Sequence, residues 1–255
     1  MSTAVAWCAD PYADALRNGH GPLFLRRTDG WLLPLEVERW CAAADAADLS
    51  ALRRCTGTVL DIGCGPGRLV AALTALGHRA LGIDISEAAV AHTRRLGGTA
   101  LRRSVFDSLP DEGSWGTALL IDGNIGIGGD PGALLARTAR LLAPGGLLIA
   151  ETAPVDVDER VQVRVDDGRG RGAAGETFPW ARLGTPALLR HARPTALRPA
   201  DQWTVGGRSF VALRRRRDVR NARSSSQSAE PAKSAAVTRS QRVRNTPAGR
   251  PVADS

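Results

Sequence analysis

The stretch VLDIGCGPGRLV, residues 59–70, decides the fold, because it joins a short apolar run to a glycine-rich turn and then returns to apolar residues. Gly63, Gly65 and Gly67 alternate with other residues inside the turn. Glycine has no Cβ atom and adopts positive φ at little cost, so such a turn lets a ligand come close to the backbone. The stretch therefore predicts a strand, a binding turn and a helix in succession.

Strand-like and helix-like segments alternate on both sides of this turn. Strands are predicted at 59–62, 80–83, 100–105, 117–121 and 146–151, and helices at 68–76, 87–96 and 131–142. Ser86 and Asp130 stand where a helix N-cap is expected, and Pro131 suits the first helical position. The alternation indicates an α/β fold with a parallel sheet covered by helices on both faces.

The flanking segments have other patterns. One helix is predicted over 34–49, and a short helix is predicted to begin at Thr185. Apolar and charged residues alternate at 160–165, which is typical of a half-exposed antiparallel strand, and 203–215 has the pattern of a hairpin turning at Gly206 and Gly207. The simplest assembly is a parallel sheet finished by an antiparallel strand pair.

The net charge of +8 belongs to one end of the chain. Residues 214–255 hold eleven Lys or Arg against three acids, so the preceding 213 residues are neutral. The segment 214–255 has no aromatic residue and no regular apolar period, and we expect it to be a disordered basic tail. Since residues 1–213 show no recognisable nucleic-acid-binding module, nucleic acid is not an expected partner.

Cysteine and histidine usage excludes several classes of protein. The four cysteines form no Cys-x-x-Cys pair and the four histidines are dispersed, so neither a metal site nor a disulfide framework is expected.

The chain shows no signal-peptide pattern and no apolar run long enough for a membrane span. These features predict a cytoplasmic protein. Abundant Ala, Arg, Gly and Leu with a single lysine suggest a high-GC bacterial gene.

Three ligands compete for the glycine turn. A phosphate-binding P-loop needs a lysine, and residues 1–213 contain none. A dinucleotide fold expects Gly-x-Gly-x-x-Gly, which the spacing of Gly63, Gly65 and Gly67 disfavours only weakly. An adenosyl cofactor without a pyrophosphate is the third alternative. Spacing alone does not decide between the last two.

The segment beginning at Asp61 resembles motif I of the class I S-adenosylmethionine-dependent methyltransferases, which reads roughly Asp-x-Gly-x-Gly-x-Gly. The resemblance continues in ALGIDIS with Asp84, in VFDSLP at 105–110, and in LLAPGGLLI at 141–149. It implies a Rossmann-like, seven-stranded, mostly parallel sheet with helices on both faces and an antiparallel C-terminal strand pair. It also implies S-adenosyl-L-methionine as cofactor.

The resemblance assigns roles to individual residues. Asp84 is expected to bind the ribose hydroxyls and Asp107 the adenine amino group, with Phe106 as an apolar wall. Asp61 and Asp122 suit the positive sulfonium, since they would repel a phosphate. The full set of expected cofactor-binding residues is Tyr12, Asp61, Gly63, Cys64, Gly65, Gly67, Asp84, Ile85, Phe106, Asp107 and Asp122.

The sequence defines the residues that would face the methyl acceptor less clearly. The segment IDGNIGIGGDP at 121–131 stands where the family places acceptor-facing residues, but it lacks the Asn/Asp-Pro-Pro-aromatic motif of base-amine methyltransferases. Asp122 and Asn124 are therefore candidate catalytic residues, with His20 as a candidate base on a closing loop. The glycines at 123–129 either expose backbone to a substrate or only form a tight loop. Trp180 and Arg182 are candidates for an acceptor pocket.

The predicted organisation has three parts: a helical cap or lid at 1–50, the methyltransferase domain at 51–213 and the basic tail at 214–255. The expected function is methyl transfer to a small-molecule acceptor. An NAD(P)-dependent oxidoreductase on the same kind of sheet, and a non-catalytic S-adenosylmethionine-binding protein, are the alternatives.

Overall fold

The computed structural model describes residues 10–169 and 176–217, which belong to one compact unit ending at Arg217. The elements of these ranges are, in chain order, α1 (Asp10–Asn18), β1 (Phe24–Arg27), β2 (Leu32–Pro34), α2 (Val37–Cys41), α3 (Ala46–Leu52), β3 (Val59–Ile62), α4 (Arg68–Ala75), β4 (Ala80–Asp84), α5 (Glu87–Arg95), β5 (Ala100–Arg102), β6 (Trp115–Leu120), α6 (Pro131–Leu141), β7 (Leu142–Thr152), β8 (Asp158–Asp166), β9 (Phe178–Leu183), α7 (Thr185–Ala192), β10 (Leu197–Val205) and β11 (Arg208–Arg215).

A seven-stranded sheet forms the centre, in the order β10-β11-β7-β6-β3-β4-β5. Strands β3 to β7 are parallel, whereas β11 pairs antiparallel with both β7 and β10. The register places Leu60 of β3 opposite Leu81 of β4 and Ala118 of β6. The predicted fold class, including the antiparallel C-terminal pair, is confirmed.

The central strands are buried because both faces of the sheet carry helices. All four residues of β3 are buried, and its three apolar residues are divided between two apolar clusters. Leu60 packs in one cluster with residues of α6 and α7, and Val59 packs in the other with residues of α3 and α4. Such two-sided burial explains why these strands appear in the sequence as continuous apolar runs.

A second sheet, in the order β2-β1-β8-β9, is antiparallel and was not predicted. The alternating segment at 160–165 does form a strand, β8, but it pairs with β1 and β9 and does not finish the parallel sheet. The N-terminal segment is accordingly not purely helical, because it contributes β1 and β2. The stretch around Trp180 is strand β9.

The helix predicted over 34–49 is in fact two helices, α2 and α3. Asp45 starts the second one through a capping box, since its carboxylate accepts from the Asp48 amide at 2.8 Å and the Asp48 carboxylate accepts from the Asp45 amide at 3.0 Å. These bonds satisfy two backbone donors that a continuous helix would bond internally. The local cap therefore overrides the helical periodicity.

The segment predicted as a tail begins inside the sheet. Strand β11 runs to Arg215, the Arg214 guanidinium donates to the Gly145 carbonyl at 2.9 Å, and the Arg216 amide donates to the Ala196 carbonyl at 2.9 Å. The prediction of disorder for 218–255 lies outside the described residues. Among the helices of 10–169 and 176–217, none is long and apolar enough to cross a membrane.

Candidate functional site

One cavity of about 1160 Å³, its open mouth included, lies over the carboxyl ends of β3, β4 and β6, where open parallel sheets bind ligands. Residues of α1, α2, β9 and the loop after β5 complete its wall. The residues lining it are Tyr12, Leu35, Trp40, Asp61, Ile62, Gly63, Cys64, Gly65, Pro66, Arg68, Leu69, Ile83, Asp84, Ile85, Arg103, Ser104, Val105, Phe106, Ile121, Asp122, Asn124, Ile127, Gly128 and Trp180.

The turn after β3 forms the floor of this cavity. The amides of Gly63 and Cys64 donate to the Ile83 carbonyl at 2.9 and 3.0 Å, which fixes the turn against β4. Gly63 has φ +74°, and a Cβ there would lie 2.7 Å from Asn124 Nδ2. Gly67 has a different reason to be glycine, because a Cβ at that position would lie 2.6 Å from Thr93 Oγ1. Gly67 thus packs against α5 and does not line the cavity.

Asp84 ends β4 at the cavity wall. Its carboxylate accepts from the Gly65 amide at 2.9 Å and from the Ser86 amide at 2.8 Å, so it holds the glycine turn in place. Burial raises the pKa of Asp84 to about 6, and the Ser86 and Gly65 amides oppose this rise. Ile85, the next residue, also lines the cavity. Asp84 and Ile85 therefore both lie at this cavity, and cofactor binding by them stays a prediction.

Asp61 presents an unsatisfied carboxyl oxygen. The residue is 1% exposed, lines the cavity, and its Oδ2 has no hydrogen-bond partner among the described residues. Burial, with smaller contributions from Asp122 and Asp84, raises the pKa of Asp61 to about 8. An oxygen of this kind fits a ligand that brings a hydrogen-bond donor or a positive charge, and it disfavours a phosphate.

Asp122 belongs to an ionic cluster formed by Arg39, Asp48, Arg68, Asp122, Glu151 and Arg208. Arg68 donates to both Asp48 and Asp122, and Arg39 pairs with Asp122 at 3.0 Å. Arg208 pairs with Asp48 and with Glu151, each at 2.8 Å. The Asp122 carboxylate is thus held in place by the guanidinium groups of Arg39, Arg68 and Arg208. The geometry favours a supporting role for Asp122.

Asn124 braces the glycine turn. Its Nδ2 donates to the Ile62 and Gly63 carbonyls, both at 2.9 Å. Farther along the same loop, a Cβ on Gly126 would lie 2.3 Å from the Ala181 carbonyl, and one on Gly129 would lie 2.6 Å from Pro179. These two glycines let the loop pack on β9, which favours the tight-loop alternative for them. Gly123, in contrast, has no heavy atom within 4 Å of such a Cβ.

Aromatic side chains cover the cavity from the side of α1, α2 and β9. Tyr12 and Trp40 pack edge to face with ring centroids 6.4 Å apart, and the Tyr12 hydroxyl lies 3.8 Å from where a Gly65 Cβ would be. Burial, followed by the Asp84 charge, raises the pKa of Tyr12 well above its usual value. Phe106 is 46% exposed at the cavity wall. Tyr12 and Phe106 therefore both line the cavity, and their contacts with a cofactor stay predictions.

Cys64 also lines the cavity, but its side chain packs on β4, since a Cβ on Gly82 would lie 2.6 Å from the Cys64 Sγ. Burial raises the pKa of this thiol well above its usual value, so it is not a reactive thiolate.

Besides Gly67, three predicted site residues lie elsewhere. The Asp107 carboxylate accepts from the Ser104 amide at 2.9 Å, and it is the preceding residues, Ser104 to Phe106, that line the cavity. His20 lies outside the cavity, with its Nδ1 3.0 Å from the Gly21 carbonyl oxygen. Arg182, a candidate for the acceptor pocket, instead pairs with Glu159 at 3.1 Å.

Sequence reasoning missed Arg68, Arg103, Leu35 and Ile127, which all line the cavity. Arg68 left a readable signal, because an arginine in the first turn of a helix is the unfavourable charge for the helix dipole. Such a residue indicates an acidic partner, here Asp48 and Asp122. Arg103, Leu35 and Ile127 carry no comparable local signal.

The chain matches the family model of a methyltransferase domain over residues 59–146. It is similar to a ubiquinone biosynthesis O-methyltransferase of Methylococcus capsulatus, with 35% identity over 102 residues, which are 36% of this chain and 42% of that protein. The match thus spans less than half of this curated relative.

Two solved structures share the fold. One is a methyltransferase from Bacteroides fragilis, in complex with S-adenosylhomocysteine (TM-score 0.66, 18% identity, covering 85% of this chain and 97% of that one). The other is the 1,6-didemethyltoxoflavin N1-methyltransferase of Burkholderia thailandensis (TM-score 0.51, 21% identity, covering 67% and 79%). The glycine turn, the acids at the strand ends and the strand order described above thus coincide with a methyltransferase-domain match over residues 59–146 and with the fold of these two structures.

Proposed function

We propose that this protein transfers a methyl group from S-adenosyl-L-methionine to a small-molecule acceptor. The observation that carries the proposal is the combination, in one cavity, of the Gly63–Gly65 floor, the Asp84 carboxylate and the unpartnered Asp61 oxygen. Two named proteins add support: the Methylococcus relative is an O-methyltransferase of ubiquinone biosynthesis, and the Burkholderia structure holds 1,6-didemethyltoxoflavin together with S-adenosylhomocysteine.

The residues present fit this cofactor. Asp84 is placed to accept from vicinal ribose hydroxyls, which a carboxylate does better than a neutral group. Phe106 and Ile85 offer apolar surface to the adenine ring. Asp61 is the oxygen available to the positively charged methionine end, and the glycine floor allows that end to lie on bare backbone. When bound, the cofactor supplies an electrophilic methyl group on a sulfonium.

The contribution of this chain to the transfer is positioning. Asn124 and Asp84 fix the glycine turn, and Asp122 is held by the ionic cluster, so the floor is rigid before the acceptor arrives. Rigid placement of two reactants supplies a large share of the rate of such a displacement. His20, Asp122 and Asn124 stay predictions as catalytic residues, and the geometry supports Asn124 as a positioning residue.

The cellular setting is part of the proposal. Three cysteines of the described ranges, Cys41, Cys55 and Cys64, are free thiols, in line with a reducing cytoplasm. The Methylococcus relative is bacterial, in line with the composition.

Isothermal titration calorimetry with S-adenosylhomocysteine tests the cofactor assignment. Loss of a charge-assisted bond pair costs about 1.5–3 kcal/mol, so Asp84→Asn should weaken binding by about 10- to 100-fold. Asp130→Asn is the matched control, because Asp130 caps α6 and asparagine caps a helix equally well. Tight NADH binding without binding of either adenosyl compound would establish the oxidoreductase alternative.

Methyl transfer itself is tested by incubating the protein with methyl-labelled S-adenosylmethionine and a broad metabolite extract. We expect label in a small molecule. Normal cofactor binding with no transfer across such extracts would favour the non-catalytic alternative.

A further inference from the structure

We infer that the acceptor is a flat aromatic small molecule that binds against Tyr12, Trp40 and Trp180. The inference rests on the proposed function, since it names the class of acceptor for the same cavity.

The two sides of the cavity differ in chemistry. The side formed by the parallel sheet carries the charged residues Asp61, Arg68, Asp84 and Asp122. Asp84 holds the glycine turn, Arg68 pairs with Asp122, and Asp61 keeps an oxygen without a partner among the described residues. The opposite side is formed by side chains of α1, α2 and β9 with Ile127 from the loop after β6, and these side chains are apolar. Tyr12, Trp40 and Trp180 belong to one apolar cluster on that side, together with Leu35 and Ile127. An acceptor that reaches the cofactor from this side therefore meets rings and aliphatic side chains.

The concentration of rings at this place is unusual for the chain. Only 4% of its residues are aromatic, namely six Trp, four Phe and one Tyr, yet Tyr12, Trp40, Phe106 and Trp180 all line the same cavity. If Phe106 serves the adenine ring, three rings remain for the acceptor. Aromatic faces recognise flat partners through offset stacking and edge-to-face contacts.

Trp180 is held in a fixed position beside the loop after β6. It forms a β-bridge with Ile127, and a Cβ on Gly126 would lie 2.6 Å from two atoms of its indole ring. The glycine at 126 thus lets the loop that carries Asn124 touch the indole directly. A ring that is 7% exposed and packed in this way is a preformed wall.

Trp40 supplies a polar contact on the apolar side. Its Nε1 is buried and has no hydrogen-bond partner among the described residues, although Trp40 lines the cavity. A buried donor without a partner costs free energy, and a ligand oxygen or nitrogen at this point removes that cost. The ring therefore selects an acceptor that carries a hydrogen-bond acceptor atom.

The test uses two probes with the same carbon skeleton and hydroxyl group, 2-naphthol and its saturated counterpart decahydro-2-naphthol. Affinities are measured by calorimetry with the protein saturated with S-adenosylhomocysteine. We expect 2-naphthol to bind about three- to tenfold more tightly, which is the range for an aromatic contact beyond simple burial. Methyl glucoside, a polar non-aromatic ring, should bind more weakly than both.

Two variants assign the effect to residues. Trp180→Leu should reduce the preference for 2-naphthol to about onefold, because it removes the wall but keeps an apolar side chain. Trp40→Phe should weaken both probes by about threefold or more and keep the preference, because it removes the N–H donor and retains an aromatic ring. Trp31→Phe is the control, since Trp31 is exposed and does not line the cavity, and it should change neither quantity.

The outcomes separate the inference from the proposed function. Equal affinity for the two probes, tighter binding of the glucoside, or no measurable binding beside bound S-adenosylhomocysteine overturns the aromatic class and leaves the cofactor assignment intact. Failure of S-adenosylhomocysteine itself to bind the unmodified protein overturns the proposed function. Intact S-adenosylhomocysteine binding by Trp180→Leu and Trp40→Phe shows that these variants are folded.

Discussion

A methyl group added at Gly63 should damage the cofactor floor through one identifiable contact. Gly63 has φ +74°, and its absent Cβ would lie 2.7 Å from Asn124 Nδ2, which donates to the Ile62 and Gly63 carbonyls. Gly63→Ala therefore imposes a backbone cost and a steric cost together. The steric cost arises only because Asn124 is present.

The magnitudes follow from these two costs. Positive φ costs a non-glycine residue about 1–2 kcal/mol, and overpacking of a filled site costs about 1–3 kcal/mol. We expect Gly63→Ala to lower the free energy of unfolding by about 2–5 kcal/mol. Asn124→Ala alone removes two hydrogen bonds, at about 0.5–1.5 kcal/mol each. In the double variant the clash is gone, so the two effects should fall short of additivity by about 1–3 kcal/mol.

The assay is urea unfolding of the two single variants and the double variant, with Gly123→Ala as control. Gly123 also has positive φ, +82°, but no heavy atom lies within 4 Å of its absent Cβ. The control should lose only about 1–2 kcal/mol. Strict additivity of Gly63→Ala and Asn124→Ala, or equal losses for Gly63→Ala and Gly123→Ala, would refute the assignment of the contact.

Three further predictions concern charge and the chain end. The pKa of Asp61 is raised from 3.8 to about 8. Between pH 3.8 and about 8 the folded chain therefore holds a proton that the unfolded chain has lost, so the free energy of unfolding should fall as pH rises through this range. Asp61→Asn should flatten the curve of stability against pH, and an unchanged curve would show that Asp61 is ionised in the folded protein. Asp48→Ala should cost about 3–5 kcal/mol in urea unfolding, since it leaves the buried Arg68 guanidinium without one of its two partners, and a loss below about 1 kcal/mol would contradict this. Deletion of 218–255 should leave the melting temperature and S-adenosylhomocysteine binding unchanged. Deletion from Arg214 should lower the melting temperature, because strand β11 extends to Arg215. Equal melting temperatures for the two truncations would argue against a role for the end of β11.

Local sequence patterns were sufficient to predict the central sheet. Strand β3, its glycine turn and helix α4 are contiguous in the sequence, and the strand order follows from repeated strand–helix units. The second sheet lacked such a signal. Its strand β1 pairs with β8 through Phe24 and Asp166, about 140 residues apart, and such a pairing depends on tertiary contacts that no local period records.

The residues of the candidate site likewise divide into those that local patterns predicted and those that they did not. Asp61 and Asp84 were predictable because parallel strands bring their carboxyl ends to one edge of the sheet. Asp107 shows the limit of a motif. Its carboxylate accepts from the Ser104 amide, and the cavity is lined by the residues that precede it, Ser104 to Phe106. The pairing of Asp122 with Arg39 and Arg208 was not predictable, because it depends on elements far apart in the chain.

The ionic cluster has a consequence for biosynthesis. Asp48 and Arg68 leave the ribosome early, but Arg208, which pairs with Asp48 and Glu151, is made 160 residues after Asp48. Until that arginine emerges, Glu151 lacks its guanidinium partner and Asp48 pairs only with Arg68, so the supports of Asp122 are incomplete. A nascent chain that already contains the whole glycine turn therefore lacks part of the ionic cluster, which is completed only when the C-terminal hairpin docks.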